Sequence, residues 1–456
     1  MISLSLLLGK LNLTNNLHLL GIDRAIGYTL VSRGWQLLSG VFSVFFVAKY
    51  LSPYEQGYFY TFFSVLNIQI MFELGLNYVV LQFVSHEYSK LSWTEHGIVD
   101  GNNLAKARLG SLLRIALKWY VIGSGLFLVL ILPIGLWFFS NNLNDANTEF
   151  WKYPWILLVL FSSFMLAVSP IFSILEGCGL IANVAKFRVF QDIITYPIYW
   201  TSLYLGFGLF SNPIMQMLRL IIALFWLTKH YSVFIFDLLC YNFNNIKINW
   251  FQEIWPMQWK IAISWFSGFF ITQLFNPYIF HNMGPIYAGK MGMSLTIISG
   301  LVTLALSWMN TKIPLFGQMI VNKEYYKLDN LFFLTLKKSF YAYLIGSGLI
   351  LTTVLFLSFL KVDAVNRILD SASFSLLLVP TALTIVTISQ AIYLRAHKQE
   401  PFIWISVTQA ILTCFSVIIL GHFWGIIGII IGNAITLIIV FILGTIVFIR
   451  KRKFWH

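Results

Sequence analysis

The stretch FWGIIGIIIGNAITLIIVFILGTIVF, residues 423–448, carries no charged side chain and is long enough to cross a lipid bilayer as a helix. In hydrocarbon every backbone polar group must be satisfied within its own segment, and apolar runs of about 20 residues favour helices over barrel strands. The whole 456-residue chain has this character, being 58% hydrophobic and only 10% charged. We therefore predict an all-α integral membrane protein without a soluble domain large enough to act alone.

Apolar runs bounded by polar or turn-forming clusters predict about twelve transmembrane helices. They lie near residues 25–50, 55–82, 113–140, 153–175, 186–209, 213–236, 258–280, 287–310, 336–360, 372–394, 400–421 and 423–448. An even number of spans places both termini on one side of the membrane. Most of the 30 Lys and Arg residues fall in the termini and in the loops after even-numbered helices, so the positive-inside rule predicts that both termini are cytoplasmic.

An internal repeat divides the chain into two halves. The segments LSPYEQGYFYTFFSVLN (51–67) and MGPIYAGKMGMSLTIIS (283–299) share one Pro-x-x-x-Gly spacing, and a weaker likeness links 175–191 to 393–409. Six is an even number, so the halves keep one orientation, as in transporters that hold a substrate in a central cavity between two bundles. The predicted divisions are a cytoplasmic segment (1–24), a first six-helix bundle (25–236), a cytoplasmic linker (237–257), a second six-helix bundle (258–448) and a basic cytoplasmic tail (449–456).

Polar side chains inside the predicted spans are the candidate binding groups. A charge at mid-bilayer costs roughly 2.5–3.5 kcal/mol and is expected to face a partner or a water-filled cavity. Helix 1 carries polar and small residues at i, i+3, i+4, i+7 spacing, which gathers them on one face: Ser32, Arg33, Gln36, Ser39, Gly40 and Ser43. The candidate substrate-binding residues are Arg33, Gln36, Ser39, Glu73, Arg219 and Asn276.

Other readings of these residues stay open at this point. Small and hydroxylated residues at helical spacing commonly serve close helix packing. Arg33 and Glu73 lie at similar predicted depths on adjacent helices, so they form either a structural ion pair or a ligand site. Asp192 lies one turn from Arg188 near the inner boundary, and we predict a solvated ion pair between them.

Several chemistries find no support in the sequence. The basic residues behind the net charge of +13 are scattered through short loops, which favours a membrane surface over a nucleic acid. There is no phosphate-binding Gly-x-x-x-x-Gly-Lys-Ser/Thr loop and no clustered metal-ligand spacing. We therefore expect no cofactor and no metal, with an H⁺ or Na⁺ gradient or the membrane potential as the energy source.

The segment YLSPYEQGYFYTFFSVLNIQIMFELGLNYVV (50–80) resembles the first hairpin of the polysaccharide flippases, which include O-antigen flippases, in the multidrug/oligosaccharidyl-lipid/polysaccharide (MOP) exporter superfamily. Residues 173–193 and 308–331 resemble the matching loops after helices 4 and 8. The resemblance implies a non-enzymatic flippase that moves undecaprenyl-pyrophosphate-linked oligosaccharide across the bacterial inner membrane by alternating access. Implied partners are that lipid-linked substrate, membrane lipids and other polysaccharide assembly proteins. Arg33 would bind the pyrophosphate, and Gln36 and Ser39 the sugars.

Two alternatives remain. A multidrug-and-toxin-extrusion (MATE) antiporter would share the fold but bind a cation, and should carry buried carboxylates unmatched by Arg. A membrane polysaccharide polymerase or glycosyltransferase would be an enzyme and is expected to have larger outer loops than this chain offers.

Overall fold

The computed structural model describes residues 24–95, 97–141, 149–240, 248–397 and 401–455, without the side chains of residues 24–33, 37, 149 and 314. The predicted N-terminal segment (1–24) thus lies almost wholly outside the described residues. In the described part the fold is helical apart from one small hairpin, and the prediction of an all-α membrane fold is confirmed.

The twelve predicted spans correspond to single helices or to runs of two or three helices. The described helices are α1 (Arg24–Tyr50), α2 (Pro53–Leu66), α3 (Gln69–Glu73), α4 (Leu76–Tyr88), α5 (Asn103–Ser140), α6 (Lys152–Leu175), α7 (Ile181–Tyr204), α8 (Ser211–Cys240), α9 (Trp255–Gln273), α10 (Phe275–Met283), α11 (Pro285–Thr311), α12 (Ile313–Val321), α13 (Tyr325–Phe359), α14 (Ser371–Ala396), α15 (Ile403–Phe415) and α16 (Gly421–Trp455). Strands β1 (Leu91–Trp93) and β2 (Val99–Gly101) pair antiparallel in the loop after α4.

By length and composition alone, seven described helical runs could each span a membrane, and the bent run from α2 to α4 would make an eighth. Two of the seven, Lys152–Tyr204 and Ile403–Trp455, have 53 residues each, and each holds two predicted spans. Within the first run Gly179 has φ +82°, and the rings of Phe172 and Phe187 stack 5.6 Å apart. A straight helix would separate these residues by about 22 Å, so the chain reverses between α6 and α7.

The second predicted span, 55–82, is broken rather than straight. Leu74 (φ 48°) and Gly75 (φ 68°) both adopt left-handed backbone conformations, and the run bends by 43° at this point. A side-chain-bearing residue in that region costs free energy, so the surrounding packing must hold Leu74 there. The break places Glu73 at the end of a helix instead of in the middle of one.

The third span begins ten residues earlier than predicted. The Asn102 side chain accepts hydrogen bonds from the backbone N–H groups of Leu104 and Ala105 at 2.9 and 3.2 Å, which caps α5. The sequence hides this start, because residues 103–112 are polar enough to resemble a loop.

Contacts between loops follow the alternation expected of twelve spans. Trp93 Nε1 donates to the Cys178 carbonyl at 2.9 Å, joining two predicted inner loops. At the opposite end Gln56 Nε2 donates to the Arg367 carbonyl at 2.9 Å, joining the predicted outer end of the second span to a predicted outer loop. We call these two ends the inner and the outer end, following the predicted topology, which itself stays a prediction.

The linker between the halves is docked at the inner end. Arg108 on α5 forms ion pairs with Glu87 on α4, at 2.7 Å, and with Glu253 in the linker. Trp119 on α5 stacks on Trp250 with ring centroids 5.4 Å apart. These contacts attach the start of the second half to the first half.

Candidate functional site

A cavity of about 210 Å³ lies within the first half, at its border with the second. Its walls come from α1, α2, α7 and α8, with one residue from α11. The lining residues are Gly40, Ser43, Val44, Val47, Phe59, Tyr60, Phe63, Tyr196, Tyr199, Asn212, Met215, Gln216, Arg219 and Thr296. The cavity therefore combines aromatic rings, amides and hydroxyls with one cationic side chain.

The charge at this cavity is an ion pair between two helices. Arg219 Nη2 lies 2.9 Å from Asp192 Oδ1, and the Arg219 carbonyl accepts a hydrogen bond from Gln191 Nε2 at 2.7 Å. At about 1.5 Å per residue, Asp192 lies roughly 16 Å from the inner end of α7 and Arg219 roughly 12 Å from the outer end of α8. Both charges are thus near the middle of the bundle, where pairing offsets the cost of burying them.

The guanidinium keeps hydrogen-bonding capacity for a ligand. Arg219 Nε is buried and donates to no acceptor among the described residues. The group also lies 5.5 Å from the centroid of the Tyr196 ring. An arginine that lines a cavity and is held by one carboxylate is suited to binding an anionic or polyhydroxylated ligand through the rest of its guanidinium.

Aromatic side chains extend the site between α1 and α7. The rings of Phe46 and Trp200 stack with centroids 5.8 Å apart, and Tyr196 lies 5.9 Å from Trp200. Trp200 Nε1 donates to Ser43 Oγ at 3.0 Å, which orients the indole. Rings with one polar edge give a ligand both an apolar face and hydrogen-bonding groups.

The two repeated Pro-x-x-x-Gly motifs lie against each other at the outer end. A Cβ atom on Gly57 would lie 2.0 Å from the Pro285 carbonyl oxygen, and one on Gly289 would lie 2.9 Å from the Gly57 nitrogen. Only glycine lets the backbones of α2 and α11 approach so closely. The contact is reciprocal, as an axis between two parallel repeats requires.

Hydrogen bonds between the halves reinforce this crossing. Gln56 Nε2 donates to the Gly289 carbonyl at 2.9 Å as well as to the Arg367 carbonyl, and within the second half the Leu369 N–H donates to Ser294 Oγ at 3.1 Å. Gln56 is 1% exposed and Ser294 is fully buried. The outer end is therefore closed by packed backbone and buried hydrogen bonds.

The candidate residues Gln36 and Ser39 of the first predicted span do not line the cavity. Gln36 is exposed, and Ser39, 1% exposed, donates its hydroxyl to the Gln36 carbonyl at 3.1 Å. The cavity uses the next turn of that helix, at Gly40 and Ser43. The Arg33 side chain lies outside the described residues, so its predicted role stays a prediction.

Of the other candidates, Arg219 lines the cavity, whereas Asn276 and Glu73 lie elsewhere. Asn276 Nδ2 donates to Ser64 Oγ at 3.1 Å, a buried bond between the two halves. The short helix α3, which ends at Glu73, packs with α5 and α9, while α1, which carries Arg33, packs mainly on α7 and α11.

The predicted solvated pair of Asp192 with Arg188 is wrong. Arg188 instead lies 3.0 Å from Glu176, and Asp192, 6% exposed, pairs with Arg219. Proximity along one helix suggested the first pairing, but Asp192 points toward α8, across the helix interface.

The sequence offered signals for the residues that reasoning missed. Gln216 and Arg219 are spaced i, i+3 in one span, and Asp192 and Tyr196 are spaced i, i+4 in another, so each pair shares a face. Reading both helices together would have suggested a shared polar face.

No family model and no curated protein matches the chain. Solved structures do match its fold. An inward-facing MATE-family multidrug resistance transporter of the MOP superfamily aligns with TM-score 0.65 and 13% identity, covering 94% of this chain and 98% of that one. A MOP superfamily transporter from Pyrococcus furiosus aligns with TM-score 0.57 and 13% identity, over 95% and 96% of the two chains. The lipid II flippase MurJ, in an inward closed conformation, aligns with TM-score 0.54 and 15% identity, over 92% and 86%. The chain therefore has the fold of these transporters.

Proposed function

We propose that this protein is a membrane flippase that moves an anionic, lipid-linked oligosaccharide across the bacterial inner membrane by alternating access. The observation that carries the proposal is the Arg219–Asp192 pair in an aromatic cavity between the helices of a MOP-type fold. The Arg219 guanidinium would bind a phosphate oxygen, and the ring-lined walls would hold sugar rings.

The closed outer end supports an alternating-access cycle. The Gly57–Gly289 crossing and the Gln56 hydrogen bonds join the halves at the outer end, so separating them would open the cavity to the outside. In that cycle an inside-negative potential would favour outward movement of an uncompensated anion by about 2.3 kcal/mol per charge per 100 mV.

The charge arrangement favours this proposal over cation antiport. A cavity for a cation is expected to expose a carboxylate without a cationic partner. Here the carboxylate beside the cavity, Asp192, is already paired with Arg219. The structural similarity to MATE transporters is a similarity of fold, and cation antiport stays the second candidate.

An apolar groove supports a lipid-linked substrate. It lies between α9 and α15, has a volume of about 740 Å³ and is lined by residues such as Phe266, Phe270, Ala410 and Phe415. A polyprenyl chain that remained in this groove would leave its head group free to enter the polar interior.

The test follows lipid-linked oligosaccharide in cells without the protein, using an impermeant sugar-binding probe to assign the leaflet. Intermediates should accumulate on the inner leaflet, and the Arg219→Gln/Asp192→Asn double variant should not restore movement although it carries no unpaired charge. Lys229→Gln, which changes a cation on the same helix outside the cavity, should restore it. Normal movement without the protein, together with new sensitivity to cationic compounds, would favour the antiporter instead.

A further inference from the structure

The inner end of the second half carries a large excess of positive charge. Lysines and arginines outnumber carboxylates by ten to two in three described segments of that end, residues 312–338, 395–397 and 450–455. Both carboxylates already have cationic partners. Glu324 lies 3.2 Å from Lys327. Asp329 lies 2.7 Å from Arg452.

The inner end of the first half is different, because its cations and carboxylates form ion pairs between helices. Lys106 on α5 lies 3.0 Å from Asp237 on α8, and Arg188 on α7 lies 3.0 Å from Glu176 at the end of α6. The unbalanced positive charge of the inner surface is therefore greater on the second half.

A pocket of about 600 Å³ lies within this charged surface, between α12 and the end of α14. Its wall includes Gly317, Asn322 and His397, and a Cβ atom on Gly317 would meet no atom of the described residues within 4 Å. The neighbouring Phe316 is fully buried, with its ring centroid 6.4 Å from that of Tyr393. Thus α12 packs one face on the bundle and leaves the other beside an open pocket.

The end of α12 has a backbone conformation that favours glycine, yet the residue there is a lysine. Lys323 has φ 58°, and its N–H donates to the Ile320 carbonyl at 3.1 Å. The next N–H, of Glu324, donates to the Met319 carbonyl at 2.9 Å. These two hydrogen bonds form a Schellman ending, whose left-handed residue is usually glycine. A lysine in this conformation costs free energy, which indicates that its side chain, next to Asn322 of the pocket wall, has a role of its own.

The basic tail is docked beside the same pocket. Helix α16 continues past the predicted end of its span at residue 448, and Arg452 Nε and Nη2 donate to Asp329 Oδ2 at 3.0 and 2.7 Å. The ring of Trp455 stacks on His397 of the pocket wall, with centroids 4.4 Å apart. Lys451 Nζ lies 5.9 Å from the centroid of the same indole. The tail therefore brings a second lysine to the edge of the pocket.

Apolar side chains are exposed next to these cations. Val321, which lines the pocket, is 80% exposed, and Ile313 at the start of α12 is 41% exposed. On the tail Phe454 is 81% exposed. Both segments directly follow predicted spans, so they lie at the membrane boundary, where apolar side chains contact acyl chains and cations contact head groups. A free anion in water would gain nothing from the apolar groups.

From these observations we infer that α12, the end of α14 and the basic tail form a binding site for the head group of an anionic phospholipid of the inner leaflet. The lipid phosphate would accept hydrogen bonds from Lys323 and Lys451, and the acyl chains would lie along the exposed apolar side chains of α12. The inference goes beyond the proposed function and does not depend on it, because this site lies within the second half and shares no residue with the cavity.

The test counts lipids bound to the delipidated full chain in detergent by native mass spectrometry. The probes are dioleoylphosphatidylglycerol, dioleoylphosphatidylcholine as a zwitterionic reference, and inorganic pyrophosphate. We expect the anionic lipid to bind saturably and at least about fivefold more tightly than the zwitterionic one. Equal binding of the two lipids would overturn the inference. Pyrophosphate that binds as tightly as the anionic lipid and displaces it would also overturn it, since the site would then take a soluble anion.

Lys323→Gly separates lipid binding from folding. Glycine fits the left-handed backbone better, so this variant should unfold in lipid-free detergent at the wild-type temperature or above it. It should nevertheless bind phosphatidylglycerol about fivefold more weakly, whereas Lys323→Arg keeps the charge and should bind within about twofold of the wild type. Lys451→Gln should also weaken binding about fivefold, and it tests the site even if a variant at Lys323 does not fold.

The matched control is Lys186→Gln, which removes one exposed lysine from the inner end of the first half. It should bind phosphatidylglycerol within about twofold of the wild type. If Lys186→Gln weakens binding as much as Lys323→Gly does, the whole inner surface attracts the lipid and the inference fails. Unchanged binding in both Lys323→Gly and Lys451→Gln would refute it as well.

Discussion

Replacing Gly57 by alanine is expected to force the outer end open. The added Cβ would lie 2.0 Å from the Pro285 carbonyl oxygen, whereas ordinary contact begins at 3.4 Å. The backbones of α2 and α11 would have to separate by roughly 1 Å or more, because neither side is a flexible side chain. Overpacking of this kind costs about 1–3 kcal/mol, which corresponds to a shift of about 5- to 150-fold between the closed and open states.

The matched control is Gly300→Ala on α11. An added Cβ there meets no atom within 4 Å, so the variant gains only the helix preference of alanine over glycine, about 1 kcal/mol. Gly57→Ala and Gly300→Ala make the same chemical change, but only the site at Gly300 has room for the added methyl group.

The assay measures access from outside to a single cysteine at Thr296, which lines the cavity, in a background without the three native cysteines. An impermeant maleimide should label this cysteine at least about fivefold faster in Gly57→Ala than in the parent protein. The Gly300→Ala variant should label at the parent rate. Equal labelling of both variants would refute the argument that this glycine crossing closes the outer end.

Three further predictions concern buried bonds and charge. Asp192→Asn or Arg219→Gln alone should lower the free energy of unfolding by about 3–5 kcal/mol, because each leaves its partner's charge uncompensated. The double variant should recover much of this loss. A double-mutant cycle on thermal unfolding in detergent measures it, and additive losses would contradict the prediction. Gln56→Leu removes two hydrogen bonds between the halves, one of them buried, and should speed maleimide labelling as Gly57→Ala does. An unchanged labelling rate would contradict this prediction. The Arg108 guanidinium lowers the pKa of the Glu253 carboxyl in the folded protein. This ion pair therefore stabilises the folded protein fully above the unfolded pKa of about 4.3, and the stabilisation is lost as the pH falls through the folded pKa. Tryptophan fluorescence should report release of the linker in acid, and Glu253→Gln should flatten that pH profile.

The helices were the most predictable part of the protein. Bilayer thickness requires about 20 residues for each membrane-spanning helix, and each such helix satisfies its own backbone hydrogen bonds. The sequence of each segment is therefore enough to predict that it spans the membrane as a helix. The predicted helix bounds were wrong where side-chain capping or backbone conformation, rather than hydrophobicity, decides where a helix begins or breaks. The start of α5 depends on the cap at Asn102, and the break in the second span depends on a left-handed Leu74 that only its surroundings can hold.

The composition of the candidate site was less predictable. Sequence reasoning identified Arg219 as an intramembrane charge but gave Asp192 the wrong partner, since it weighed neighbours along one helix. Asn276 was predicted to be a candidate substrate-binding residue, and its amide donates a hydrogen bond to Ser64 across the interface between the halves. Which face of a helix meets which neighbour is a property of packing between segments, and a single segment does not encode it.

The repeated Pro-x-x-x-Gly motif shows what the sequence determines by itself and what only the tertiary structure decides. The residues alone establish that α2 and α11 begin alike and that each carries a glycine one turn in, because the pattern is local. Only the packed bundle shows that Gly57 and Gly289 are each other's neighbours and close the outer end, because contacts between distant segments depend on how the two halves dock.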